Sequence, residues 1–315
     1  MKKLSLLLLI FSLLLVGCGV PAFAAPEPTT TPTQTSLPTS TVTAAPSLTP
    51  TITPTFTPSP VPTTTRVIQG PEVVNVPILM YHHVEEDPIV SNYRVSAARF
   101  EEQMKLLHDW EYTTITTQML VEAITHGYPL PPRPVIITFD DGNLDNYTTA
   151  FPIMQKYGFT GVLYVVVNYV GAQNFMNEAQ IVEMYNAGWE IGSHSVSHLD
   201  LVGLDPQRQR YEIVESRQIL QDRLGVPVMT FAYPFGSNSG GVVDYVQFAG
   251  YIAGMGATGF RWEQGTSNLF VLQRCEIKET DVVTDERYFP RFLPWWGEIP
   301  ALTVETPAPA QTPTP

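Results

Sequence analysis

The chain has 315 residues and 17 Lys and Arg against 30 Asp and Glu, a formal charge of −13. That acidity, with no basic cluster to track a phosphate backbone, argues against a nucleic-acid partner. Its two cysteines exclude a disulfide framework: Cys18 falls in the N-terminal apolar segment, and Cys275 reads as a small buried apolar residue.

Residues 1–18 read as a signal segment, with Lys2 and Lys3 ahead of a Leu-rich run too short for a comfortable membrane span. It closes in Leu15-Val16-Gly17-Cys18, a lipoprotein processing pattern that would leave Cys18 as the lipidated N-terminus; the alternative is ordinary cleavage after Ala22-Phe23-Ala24-Ala25. Either route exports the chain. Residues 19–69 are dominated by Thr, Pro and Ser, and have too little apolar surface to offset the entropy of ordering. They predict an extended spacer. Residues 70–295 form the folded domain, and 296–315 a Thr/Pro-rich tail. The adjoining Pro294-Trp295-Trp296 is either packed against the domain or a sugar platform.

Within the domain, Val76–Tyr81 predicts an apolar strand. Ser96 predicts the N-cap of a helix to about Trp110, with Phe100, Met104 and Leu107 on one face and acidic residues at its start. A strand over Tyr112–Thr116 and a helix over Thr117–His126 follow. Val135–Phe139 reads as a strand buried on both faces, with a helix from about Asn143. Next come a strand over Thr160–Val167, a helix over Asn177–Ala187, and a short strand entering His194. Asp205 caps a long helix to Leu224. Pro227–Ala232 is a strand, Val242–Ala249 a helix, and Tyr251–Gly254 and Phe270–Ile277 two strands. Repeated β-α units predict a parallel sheet, and seven or eight closing on themselves predict a barrel. Barrel chemistry gathers at the C-terminal strand ends. Asp140, Asp141, His194, His198, Tyr233 and His82 all follow predicted strands.

Two stretches carry the chemistry. Thr138-Phe139-Asp140-Asp141-Gly142 ends a strand in adjacent carboxylates, which are costly to bury unless a cation or donors meet them. Neighbours on a strand face opposite ways, so one could hold a metal while the other handles a proton; the alternative is a helix N-cap. His194-Ser195-Val196-Ser197-His198 places two imidazoles four apart, on one face if the segment is a helical turn. One Asp and two His leave open positions on a divalent ion, as in a catalytic site.

This pair of stretches resembles the polysaccharide deacetylases, the carbohydrate-esterase group that includes chitin and peptidoglycan deacetylases. The likeness continues through Asp145-Asn146-Tyr147, Ala150-Phe151-Pro152-Ile153, Lys156-Tyr157-Gly158-Phe159 and Phe231-Ala232-Tyr233-Pro234-Phe235-Gly236, over about residues 74–290. The resemblance implies a single α/β domain with a distorted (β/α)7–8 barrel. It implies that Asp141, His194 and His198 hold one divalent transition metal, Zn2+ first, with Co, Ni, Fe or Mn admissible. Asp140 is then the general base, and the Phe235 N–H helps stabilise the oxyanion.

Three departures from the family pattern matter. Where the usual deacetylase has a catalytic histidine in Leu-x-His, this chain reads Leu272-Gln273-Arg274-Cys275-Glu276-Ile277. His82, in Tyr81-His82-His83-Val84, is the expected replacement acid. That arrangement resembles the subgroup acting on the poly-N-acetylglucosamine of biofilms, and a nearly cyclic barrel can bring the first strand beside the last. His83 reads as a surface or satisfied residue. Ala232 stands where the family has an Arg that orients the catalytic Asp; Arg274 either supplies that guanidinium or is a structural salt-bridge partner. Asn177 replaces a frequent Trp, reshaping one side of the groove. Tyr233 either lines the sugar groove or packs in its wall.

The implied function is metal-dependent removal of acetyl groups from N-acetylglucosamine units of a cell-surface or extracellular polysaccharide. O-acetyl xylan esterase, peptidoglycan deacetylase and a non-catalytic glycan binder are the rivals. The expected partners are the acetylated polysaccharide and, through Cys18, a membrane.

Overall fold

The computed structural model describes residues 67–86, 91–259 and 262–294. The expected signal segment with Cys18, nearly all of the spacer, Trp295-Trp296 and the tail lie outside the described residues. Among the described residues, no helix is long and apolar enough to cross a membrane.

Seven short strands form the centre: β1 (Ile78–Tyr81), β2 (Pro134–Phe139), β3 (Val162–Val165), β4 (Glu190–Ser193), β5 (Thr230–Ala232), β6 (Ala253–Thr258) and β7 (Leu272–Glu276). Each pairs in parallel with the next in chain order. β7 then pairs with β1, Cys275 opposite Leu79, and the sheet closes. The fold is a seven-stranded parallel barrel, and its first strand does stand beside its last. The strand expected over Tyr112–Thr116 shrinks to Thr113–Thr114, which pairs only with Pro134 and Val135 at the foot of β2. Thr114 Oγ1 accepts the Thr160 N–H at 3.1 Å, so this piece wedges beside β2 and does not become an eighth stave.

Every residue of β2 is buried, as a strand covered on both faces requires. Alternation sorts them. Ile136 joins Ile78, Tyr164, Met255 and Leu272 in one cluster, inside the barrel. Ile137 and Phe139 join Leu79, Leu163, Ile191 and Phe231 in the other, against the helices. Thr138 and Asp140 share the parity of Ile136, so Asp140 arrives at the barrel mouth near its axis.

The helices form where their caps predict. α1 (Ala97–Asp109) is capped by Ser96 Oγ, which accepts from Arg99 N at 3.1 Å. Its first turn carries no acidic residue, contrary to expectation; Glu101 and Glu102 lie in the second turn and pair with Lys156 and Arg99. α2 (Thr117–His126) ends at Gly127, whose φ of 68° is adopted most cheaply by a residue without a Cβ. A π-helical turn, Asn146–Ala150, precedes α3 (Phe151–Lys156). α4 (Glu178–Asn186) has a full capping box between Asn177 and Gln180, so Asn177 is engaged in capping. Asp205 caps α5 (Pro206–Arg210), which continues through a π turn into α6 (Ser216–Leu224), and α7 is Gly240–Phe248. Two strand pairings escaped the sequence reading: Val73–Asn75 runs antiparallel to Glu263–Gly265, whose Glu-Gln-Gly has no strand signature, and His83–Glu85 runs parallel to Arg94–Ser96.

Candidate active site

Asp140 is 2% exposed at the top of β2, and a charge there needs a partner. Arg274, 1% exposed on β7, supplies it. Its Nη1 and Nη2 donate to Asp140 Oδ1 and Oδ2 at 2.7 and 2.8 Å, a bidentate pair. Nη1 also donates to Thr138 Oγ1 and Nε to the Gly256 carbonyl, both at 3.3 Å, so the fork is held on several sides. Burial alone would raise the Asp140 pKa, but the Arg274 and His194 interactions outweigh it and hold the carboxyl well below its usual range. Asp140 is therefore ionised and able to accept a proton. Arg274→Ala is expected to lower stability by about 3–5 kcal/mol, because the Asp140 charge is left buried and uncompensated. A shift of the urea midpoint checks this; an unchanged midpoint would show that water replaces the guanidinium at no cost.

Strand alternation does not send the two carboxylates to opposite faces as expected. β2 ends at Phe139, and Asp141 has φ 75°, which swings its side chain into the same cavity as Asp140. Neither carboxylate caps the following helix. Asp141 Oδ1 is buried with no hydrogen-bond partner, an arrangement that is costly unless something else meets it. What faces it is imidazole: His198 Nε2 at 3.4 Å and His194 Nε2 at 3.7 Å.

The two histidines converge by a route other than the expected helical turn. Ser195 and His198 have φ of 69° and 56°, so the segment is an irregular turn. Ser195 Oγ accepts from His198 N at 2.9 Å, and Ser197 N donates to the buried Glu212 at 2.7 Å. Val167 N and Asn168 N donate to the Ser195 and Val196 carbonyls, tying the turn to the exit of β3. His194 Nδ1 donates to the Ala232 carbonyl at 2.8 Å, which directs its Nε2 lone pair into the cavity. Burial pushes the His194 pKa down, against the pull of Asp140 and Asp141, and favours the neutral form a ligand needs.

These three residues fit a divalent ion. Their donor atoms lie within 4.8 Å of one another. Bonds of about 2.0–2.2 Å at tetrahedral or octahedral angles separate ligand atoms by roughly 3–3.5 Å, close to the spacings here. A second group within such reach, His83, Glu85 and Asp145, is spoken for. His83 Nδ1 donates to Asp145 Oδ2 at 2.7 Å, Val84 N to its Oδ1 at 2.9 Å, and Glu85 pairs with Arg94.

His82 enters the same cavity from the end of β1. It is half-buried, with its ring against Tyr93 at a centroid distance of 4.9 Å. Burial lowers its pKa, Arg274 and His194 push the same way, and the two aspartates oppose them. A lowered pKa makes the protonated ring a stronger acid. Phe235 sits in a turn at φ 57°; the residue is 68% exposed, and its ring lies 4.7 Å from the His198 ring. Tyr233 borders the cavity but is a wall residue: its ring is fully buried, and its hydroxyl donates to the Phe270 carbonyl at 2.8 Å. Cys275 is buried, which pushes its thiol up to about 12 and leaves it unreactive.

The cavity these groups share is about 470 Å³. Of seven non-glycine residues at positive φ among the described residues, Asp141, Ser195, His198 and Phe235 belong to its turns. Such strain concentrates where side chains are aimed for function. Sequence reasoning missed Tyr93 and Glu276, which also line it. Glu276 had a signal, being two residues beyond Arg274 on one strand face; Tyr93, in a loop, had none.

Residues 127–254 match the family model described as polysaccharide deacetylase. YxkH of Bacillus subtilis (strain 168), which carries the same family name, is 32% identical over 192 residues, covering 61% of this chain and 68% of that protein. The poly-beta-1,6-N-acetyl-D-glucosamine N-deacetylase of Staphylococcus aureus is 28% identical over 178 residues, 51% of this chain and 60% of that one. The solved structure of BC0361, a polysaccharide deacetylase from Bacillus cereus, superposes with a TM-score of 0.61 at 26% identity, covering 70% of this chain and 69% of that one. Fold, cavity and likeness agree: the chain belongs to the polysaccharide deacetylase family.

Proposed function

We propose that the protein is an exported, metal-dependent N-deacetylase acting on N-acetylglucosamine units of a cell-surface or extracellular polysaccharide. One observation carries the reading: the orphaned, buried Asp141 Oδ1 faces two imidazole nitrogens beside a carboxylate that Arg274 holds ionised. The likeness to the Staphylococcus aureus enzyme supports the choice of polymer. The N-terminal pattern supports a signal segment, lipidation at Cys18 and a Thr/Pro/Ser spacer between membrane and domain.

Asp141, His194 and His198 would hold the ion, Zn2+ by the chemistry of the donor set. When bound, it supplies Lewis acidity, lowering the pKa of a water and polarising the acetyl carbonyl. Asp140 accepts the attacking water's proton, and Arg274 keeps its carboxylate aimed. The Phe235 N–H donates to the carbonyl oxygen as negative charge develops there. His82 gives its proton to the nitrogen as the C–N bond breaks, so the products are acetate and a glucosamine unit. An amide nitrogen is a poor leaving group, which is why an acid is required.

Chelator-sensitive acetate release from poly-N-acetylglucosamine tests the activity. Release only from O-acetylated xylan would make the protein an ester hydrolase, and no release from any acetylated glycan would leave a binder. His82→Ala is expected to be badly impaired on the amide and much less on an aryl acetate, whose leaving group departs without a proton. Equal loss on both would remove His82 from the acid's role.

A further inference from the structure

His82 is the one residue between two laddered pieces, β1 ending at Tyr81 and His83–Glu85 paired in parallel with Arg94–Ser96. Its own carbonyl lies outside both ladders and is taken by side chains of the segment leaving the Asp140-Asp141 turn. Asn146 Nδ2 donates to the His82 carbonyl at 2.8 Å, and Asn143 Nδ2 donates to the same oxygen at 3.2 Å. Asp145 takes the next two residues, His83 through its ring and Val84 through its N–H. Three residues of one segment thus grip three consecutive residues of another, more than sixty positions earlier.

Asn146 is the centre of this grip. It is fully buried, and its Oδ1 has no hydrogen-bond partner. An orphaned amide oxygen costs free energy, so the residue is retained for its nitrogen. That nitrogen donates both to the His82 carbonyl and, at 3.0 Å, to Asp145 Oδ1. A flipped amide would set oxygen against two oxygens, so the orientation is determined. The π-helical turn begins at Asn146, and single π turns inside helices recur at functional sites.

We propose that Asn146, aided by Asn143 and Asp145, is the positioning residue for the acid His82, and that it couples the acid's placement to the strand carrying Asp140. The proposal rests on the reading of His82 as the acid. Both adjacent histidines border the cavity, but their partners differ: the His83 ring is tied to Asp145 at 2.7 Å, while the His82 ring packs on Tyr93.

The test uses the full chain, poly-N-acetylglucosamine oligomers and an aryl acetate. Asn146→Ala is expected to lower kcat on the amide about tenfold or more, with KM nearly unchanged, full metal content and little loss on the aryl acetate. Introduced into His82→Ala, it should cost nothing further on the amide, since coupled residues are non-additive. Equal loss on both substrates, or independent losses in the double variant, would overturn the proposal. If Asn146→Ala does not fold, the isosteric Asp145→Asn serves, with a smaller amide-selective loss expected and the same contrary outcomes. His82→Ala without amide selectivity sinks the acid itself; amide-selective His82→Ala beside unselective Asn146→Ala sinks the clamp alone.

Discussion

On the proposed ligand assignment, replacing His194 by alanine is expected to abolish divalent-ion binding and acetate release in one step. The variant loses the nitrogen whose orientation the Ala232 carbonyl fixes, leaving Asp141 and His198 as the remaining protein ligands. A catalytic ion held by three side chains does not survive on two with useful affinity. The fold should persist, because the change removes one hydrogen bond, worth about 1 kcal/mol net, together with some buried ring contact. Metal content by elemental analysis and acetate release are the two measurements. A variant that keeps stoichiometric metal would contradict the ligand assignment, whatever its rate.

Asp140→Asn should separate what His194→Ala joins. The amide is nearly isosteric, and Asp140 stands outside the trio whose donors lie together. Metal is therefore expected to stay. An amide cannot accept the water's proton, so the rate should fall at least ~10²-fold, the scale of general-base catalysis. The Arg274 fork would lose its anion while remaining buried, so the variant should also be less stable than the parent. A near-normal rate with metal retained would take Asp140 out of the base's role.

Much of the scaffold was open to reading before any coordinates. Ser96 and Asp205 cap helices where expected, because a hydroxyl or carboxylate accepting an N–H three residues on is a local event. α2 spans Thr117–His126 as predicted. The apolar run in β2 is buried throughout. The groups expected at the strand ends do share one cavity, His82 among them.

The misreadings have a common cause. Helical spacing was assumed for His194–His198, and strict alternation for Asp140-Asp141. Both rules hold for regular backbone, whereas these residues sit in turns with Ser195, His198 and Asp141 at positive φ. A left-handed residue other than glycine has no reliable mark in composition. The two readings of Tyr233 were separable only by the Phe270 carbonyl, 37 residues away.

Periodic burial, caps and the donor types in the two polar turns follow from near neighbours along the chain, and so composition and spacing suffice for the β-α repeat and for a candidate donor set in Asp141, His194 and His198. Distant pairings are another matter. Arg274 meets Asp140 across 134 residues, and Asn146 meets the His82 carbonyl across 64, because β7 closes on β1 and β1 on β2. Those contacts hold the Asp140 carboxylate and the His82 backbone in place, and ring closure, which no local pattern encodes, brings them about.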